Sequence, residues 1–217
     1  MLKVITVTNS PEHAEPLIRS LVANNWDYVV IETEWKGFGT KLIETYNYLK
    51  ANPDVTEFIF CDAFDVLALG NEDEFKEKLG ARFDKLVCSC ERGLWPPTLI
   101  PFKTEYEEHK HGFNYVNSGL YYAPSKVFIK LFEKYPPFYE IDDQQWLNMA
   151  YLLRNKNVFG ATICPDFEQS IFNSHSFIHD GEYGYENGRI QILGNEPIFV
   201  HKNGRTIDEK LDNLMKL

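Results

Sequence analysis

Apolar and polar positions alternate along this chain at two periods. Leu2 to Thr8 alternates and is β-branched, which predicts a strand. Asn9-Ser10-Pro11-Glu12 then reads as a helix start, and Leu17, Ile18, Leu21 and Val22 share one helical face before Asn24-Asn25. Residues 28–33 predict a second strand. A second helix carries Leu42, Ile43, Tyr46 and Leu49 and stops near Asn52-Pro53, and residues 57–61 predict a third strand. A short helix over 72–79 has acids first and lysines last, as the helix dipole prefers. A strand over 85–90 follows, then a polar loop over 98–112, and a strand over 115–123 interrupted at Asn117-Ser118-Gly119. Glycine inside a strand marks a close approach by a ligand or another chain segment.

The second half predicts an amphipathic helix over 125–134, broken by Pro136-Pro137, and another opening at Asp142-Asp143-Gln144-Gln145. A short strand and turn at 163–166, a hairpin over 183–193 turned at Asn187-Gly188, an apolar strand at 197–200 and a closing helix over 206–217 complete the chain. The opening β-α-β alternation predicts an α/β fold with a Rossmann-like, mostly parallel central sheet flanked by helices and a small C-terminal hairpin region. No repeat or linker divides it, so residues 1–217 are expected to form one domain.

The chemistry concentrates where the third strand ends. Phe58-Ile59-Phe60-Cys61 reads as a strand covered on both faces, and Asp62-Ala63-Phe64-Asp65 follows before the apolar run resumes at Val66. Residues three apart on a strand face opposite sides, so Asp62 and Asp65 reach one ligand only if the chain turns between them. Carboxylates brought together repel unless one is protonated or a cation lies between them, and a hard divalent cation suits such a pair. A solvated turn with two unrelated acids is the alternative. Two other predicted strands run into groups of the same kind, Glu91 and His201. Ligands bind outside the carboxyl ends of parallel strands, so these groups are expected at one edge. Two carboxylates and an imidazole form an O,O,N donor set suited to Mn²⁺ or a similar ion carrying diphosphate oxygens.

A net charge of −10 disfavours nucleic acid and anionic membranes as general partners, although Lys103, His109, Lys110 and His111 offer a small basic cluster. Cys61, Cys88, Cys90 and Cys164 lie mostly in strand-like runs and are expected to be free thiols. The N-terminus is too short and strand-like for a signal peptide, and no apolar run approaches a membrane span. A cytoplasmic location is the expectation.

The ordered set Trp35-x-Gly37, Asp62-Ala63-Phe64-Asp65-Val66, Glu91-x-x-x-Trp95-Pro96, Val116-Asn117-Ser118-Gly119, Asp142-Asp143-Gln144 and Val200-His201-x-Asn203-Gly204 resembles the glycosyltransferase domain of procollagen lysyl hydroxylases. It is also similar to the collagen galactosyltransferases. The resemblance runs from about Leu2 to about Gly204. It implies a GT-A fold, a UDP-sugar donor and Mn²⁺, with Asp62, Asp65 and His201 on the metal. Thr8, Trp35, Lys41, Phe64 and Gly204 would line the donor pocket. Glu91, Trp95, Asn117, Asp142, Asp143 and Gln144 would surround the transferred sugar and the acceptor, with Asp142, Asp143 and Glu91 as the catalytic carboxylates.

The chain departs from the family at Phe64, where a tyrosine is usual, at Lys202, where a glycine follows the metal histidine, and at Ile207, where a lysine is usual; Arg205 is the expected substitute for that charge. Neither hydroxylase domains nor a secretory signal is seen in the sequence, so a bacterial or viral enzyme is expected rather than one acting on secreted collagen. The leading expectation is a metal-dependent transferase moving glucose or galactose from a UDP-sugar to an acceptor hydroxyl, with a modified nucleobase as the one nucleic-acid acceptor left open. The alternatives are a sugar-nucleotide nucleotidyltransferase, for which 8–12 lacks the usual Gly-rich basic loop, and a non-catalytic nucleotide-sugar binder.

Overall fold

The computed structural model describes residues 1–153, 163–204 and 208–216. The first strand, β1 (Leu2–Thr8), leads through a 3-10 turn at Pro11–Ala14 into α1 (Glu15–Ala23). The proline-led start thus forms as expected, one turn before the α-helix proper. Leu17 and Leu21 are buried, while Val22 is 58% exposed, so the apolar stripe is narrower than the sequence pattern. Then come β2 (Tyr28–Glu32), α2 (Gly39–Ala51), β3 (Glu57–Cys61), β4 (Val66–Ala68), α3 (Glu72–Leu79), β5 (Leu86–Glu91) and β6 (Tyr115–Pro124). The second half holds α4 (Ser125–Lys134), α5 (Asp143–Leu152), β7 (Ile163–Pro165), β8 (Phe172–Ser174), β9 (Tyr183–Glu186), β10 (Arg189–Ile192), β11 (Phe199–His201) and α6 (Glu209–Lys216).

The main sheet has the order β2-β1-β3-β6-β5-β7. β1 runs parallel to β2 and β3, and β7 parallel to β5, whereas β6 is antiparallel to both β3 and β5. Because β3 and β5 are each antiparallel to β6, they run parallel to one another. Their carboxyl ends, with Asp62 and Glu91, therefore meet the first half of β6, with Asn117, at one edge. β6 is continuous over ten residues. Its pairing with β5 is irregular where the sequence pattern expected: Cys88 pairs with Tyr121 and Ser89 with Asn117, so Ser118, Gly119 and Leu120 bulge out of that register.

Phe58 and Phe60 face a core layer with Leu42, Phe128, Leu131, Trp146 and Tyr151 from α2, α4 and α5. Ile59 and Cys61 face the other layer, with Leu17, Leu21, Trp26, Phe75, Phe172 and Phe199. Burial on both faces explains why β3 is apolar without alternation.

One expectation is corrected. β11, which carries His201, is not in the main sheet. It lies in a three-stranded sheet of order β4-β11-β8, antiparallel to β4 and parallel to β8. The turn at 62–65 carries the chain out of the main sheet into β4, and β11 then pairs with β4, so His201 approaches the edge from the side. The hairpin β9–β10 and α6 cover this small sheet through Leu67, Ile190, Ile192, Val200 and Leu211. Asn187 and Gly188 both have positive φ, as a tight hairpin turn requires.

Two further differences concern the irregular segments. The expected loop over 98–112 begins as 3-10 turns over Pro97–Glu105 that bury Leu99, and the His109 ring stacks on Phe167. Strand β8 was not expected: three residues between turns carry no readable period. The four cysteines are free, as expected. Among the described residues no helix is long and apolar enough to cross a membrane.

Asp166 joins the two sheets. Its Oδ1 accepts from Arg82 Nη1 at 3.0 Å and Ser170 Oγ at 2.8 Å, and its Oδ2 accepts from the backbone N–H groups of Ile171 at 2.7 Å and Phe172 at 3.0 Å. Asp166→Ala would take the carboxylate from the half-buried Arg82 and strand two buried backbone donors, and is expected to cost about 3 kcal/mol. Ser170→Ala should cost under about 1 kcal/mol. Urea midpoints for the two variants check this ordering, and equal midpoints would contradict it.

Candidate functional site

The carboxyl end of β3 is where charge collects. Asp62 donates its backbone N–H to Gly119 O at 2.8 Å, which ties the turn to β6. Its Oδ1 is 2.8 Å from Lys41 Nζ, and the same ammonium is 2.7 Å from Asp143 Oδ2. His201 Nε2 lies 3.2 Å from Asp65 Oδ2 and 3.7 Å from Asp62 Oδ2. One donor atom from each of Asp62, Asp65 and His201 falls within 4.8 Å of the others. The chain does turn between the two acids, so both reach one point. Gly119 makes this possible: a Cβ there would stand 2.1 Å from His201 Cε1 and 2.9 Å from Asp62 Oδ2. The close approach expected at this glycine is that of the imidazole.

Burial and charge compete at each group. Burial works against the Lys41 ammonium, but Asp143 and Asp62 more than offset it and raise its pKa. Burial would also raise Asp62, yet Lys41 and His201 hold it below the usual carboxylate range. Asp143 is raised, because burial and the nearby Asp62 outweigh Lys41. His201 is raised, since Asp65 and Asp62 overcome the penalty of burying an imidazolium.

Behind this cluster lies a network of amides. Glu91 Oε1 accepts from Asn117 Nδ2 at 3.0 Å and Gln144 Nε2 at 2.7 Å, and Glu91 Oε2 accepts from Asn203 Nδ2 at 2.8 Å. Burial raises the Glu91 pKa despite these donors. Gln144 Nε2 also donates to Trp95 O at 3.0 Å. Asn203 Oδ1 accepts from the backbone N–H of Ser176 at 3.0 Å. Asp142 caps α5 by accepting from Gln145 N at 2.9 Å.

Two cavities adjoin at the cluster. One of about 390 Å³ is lined by Thr8, Asn9, Trp35, Phe38, Phe64 and Asp65, among others. The second, about 750 Å³, is lined by residues including Glu91, Trp95, Asn117, Asp142, Gln144 and Gly204. Phe38, Lys41, Asp62 and Asp65 line both. Every residue expected at the site thus lies along this cleft except Arg205, which is outside the described residues, as is Ile207. Thr8 lines the wall with its Oγ1 already accepting from Ser10 N at 2.9 Å.

The glycines of the 34–41 loop allow a close backbone contact. Cβ atoms on Gly37 and Gly39 would stand 2.2 Å from Tyr139 O and 2.1 Å from Phe138 O, and Gly39 N–H donates to Tyr139 O at 3.0 Å. They let this loop pack on the segment that leads into Asp142.

Sequence reasoning missed Phe177. It is 65% exposed, lines the larger cavity and has a φ of 60°. Arg92 Nη1 holds its carbonyl at 2.9 Å, and Gly93 leaves room for its ring. The one signal was Gly93, and a glycine in a turn names no partner. Ser176, Phe38 and the Glu91 contact of Asn203 were likewise invisible, because each depends on a distant segment.

Arg92 is anchored in turn by Glu182, with Nη1–Oε2 at 2.6 Å and Nη2–Oε1 at 2.8 Å. That pairing, with the His179 backbone N–H, holds the Glu182 carboxyl down at about 2. The depressed folded-state value means that its stabilisation is full above the unfolded value near 4.3 and is lost as pH falls through about 2. Glu182→Gln is expected to lower stability at neutral pH by about 1 kcal/mol, with the gap closing below about pH 4. Urea titrations at several pH values check this, and a gap constant with pH would contradict it.

No curated protein matches the sequence. Among solved structures, a glycosyltransferase involved in glycosylation of the major capsid of PBCV-1 is similar, with a TM-score of 0.53 at 10% identity over 100% of this chain and 99% of that one. The galactosyltransferase LgtC, solved with donor and acceptor sugar analogs, aligns with a TM-score of 0.52 at 16% identity over 100% of this chain and 95% of its own. These neighbours establish a shared GT-A fold. The family model of the PLOD GT domain matches residues 2–216. The chain therefore belongs to that family, the glycosyltransferase domain of lysyl hydroxylases.

Proposed function

We propose that the protein moves a hexose, glucose or galactose, from a UDP-sugar to an acceptor hydroxyl with the help of a divalent cation of the Mn²⁺ type. The observation that carries this reading is the junction of the two cavities. Asp62 and Asp65 line both, and His201 joins them from the side of the larger one. A diphosphate would lie across that junction, with the nucleoside on one side and the sugar and acceptor on the other.

The donor set fits the cation. Two carboxylate oxygens and one imidazole nitrogen suit Mn²⁺ or a close relative and leave positions for diphosphate oxygens. The glycine at 119, whose Cβ would collide with two of the three ligands, keeps that space clear. When bound, such an ion neutralises diphosphate charge and stabilises it as a leaving group.

The chain's own groups supply the rest. Trp35, Phe38 and Phe64 wall the smaller cavity and offer rings to a base and ribose. Lys41 is held between Asp62 and Asp143. Asp143, fixed by that ammonium, is suited to receive sugar hydroxyls and to oppose positive charge growing at C1. Asp142 lines the larger cavity at the mouth of α5 and is the better placed of the two to take the proton of the acceptor hydroxyl. Trp95 and Phe177 form the outer wall where an acceptor would arrive. The LgtC structure with both sugar analogs supports placing donor and acceptor together on this fold.

Release of UDP from a panel of UDP-sugars, measured with Mn²⁺ and with chelator, tests the proposal. One donor should be hydrolysed slowly with Mn²⁺ alone present. Asp65→Ala should lower that rate at least about 100-fold, as expected for losing several kcal/mol of charge stabilisation. Undiminished release by the variant, or in chelator, would overturn the metal assignment.

A further inference from the structure

We infer that Asn117 is a positioning residue that fixes the tautomer of His201 and presents Nε2, not Nδ1, to the cation; this rests on the metal reading above. Side-chain amides can be flipped and imidazole protons moved, so a hydrogen-bond network normally leaves the choice open. Here two backbone groups of fixed polarity close it from both ends.

At one end, Trp95 O only accepts. It lies 3.0 Å from Gln144 Nε2, so that end of Gln144 is the NH₂ group. Gln144 Oε1 therefore faces Asn117 at 3.1 Å and requires a donor there. At the other end, Gly119 N–H only donates. It lies 2.9 Å from Asn117 Oδ1, so that end of Asn117 is the carbonyl. Glu91 Oε1, 3.0 Å from Asn117 Nδ2, agrees, because a carboxylate beside an amide oxygen would repel it.

With Asn117 Oδ1 fixed as an acceptor, the imidazole nitrogen 3.1 Å away, His201 Nδ1, must carry a proton. Nε2 is then the nitrogen whose lone pair is available, and it is the one that faces Asp65 and Asp62. Glu91 completes a carboxylate–amide–imidazole series. Its negative charge polarises the Asn117 amide and makes the far nitrogen a better ligand, as outer partners do for metal-bound histidines. Asn117 is 4% exposed with both ends of its amide engaged, which suits it to hold His201 and Glu91 in place.

The test uses the whole chain with ¹⁵N-labelled histidine. NMR with ¹¹³Cd²⁺ as a diamagnetic probe reports which nitrogen is bonded to the ion, and Mn²⁺ affinity is read separately by electron paramagnetic resonance. The expected coupling is at His201 Nε2. Asn117→Leu should weaken Mn²⁺ binding by about 10- to 100-fold. Asn117→Asp keeps an oxygen facing Nδ1 and can share a proton with Glu91, so it should recover most of the loss. A purely structural role would not distinguish the two variants once circular dichroism shows both folded. Coupling at Nδ1, or equal Mn²⁺ affinity in wild type and Asn117→Leu, would overturn this inference and leave the metal site standing. Absence of any bound cation in the wild type would overturn both. If Asn117→Leu does not fold, the coupling in the wild type still decides.

Discussion

Lys41 sits between Asp62 and Asp143, and the rest of the site depends on that contact. Three carboxylates crowd this edge within the span of a small ligand, and one buried ammonium engages two of them at 2.8 and 2.7 Å. Removing one partner from such a cluster leaves charge with neither water nor counter-ion, which costs several kcal/mol. The third acid, Asp65, faces His201 instead. The protein thus meets its own negative charge with one fixed cation on α2 and one titratable group on β11. An exchangeable cation would complete the arrangement, and it would let an acidic chain accept a diphosphate.

Each group reaches this edge on a different element, so packing sets the geometry. Gly37 and Gly39 bring the start of α2 against the backbone of Phe138 and Tyr139, immediately before α5. Lys41 and Asp143 therefore move together if they move at all. Gly119 lets His201 cross β6 at contact distance. Arg92, braced by Glu182, sets the loop that carries Phe177 at the mouth. These are long-range contacts made by short side chains or by the lack of one.

The sequence was most legible where local physics decides. An apolar run with no alternation at 58–61 meant a strand buried on both faces, and the structure buries it so. Asn187-Gly188 made a hairpin for the reason the turn demands. The gathering of Asp62, Asp65 and His201 was also legible, from acids and an imidazole at predicted strand ends and from the family resemblance. What could not be read was the route: His201 comes from a second sheet, which exists because β11 pairs with β4, and pairing between segments more than a hundred residues apart leaves no local trace. For the same reason Lys41 read as one side of a donor pocket rather than as a bridge between two acids. Asn117 and Glu91 read as groups facing a substrate; both line the larger cavity, and the hydrogen bond between them was not legible.

The central claim is that this acidic edge accepts a nucleotide diphosphate only through a divalent cation. Calorimetric titration of UDP into the protein, with Mn²⁺ and then with chelator, measures this directly. The account predicts single-site binding in Mn²⁺ and at least a tenfold loss, about 1.4 kcal/mol, in chelator. Equal affinity in the two solutions would contradict it, because the diphosphate would then be held without the ion that Asp62, Asp65 and His201 are proposed to bind.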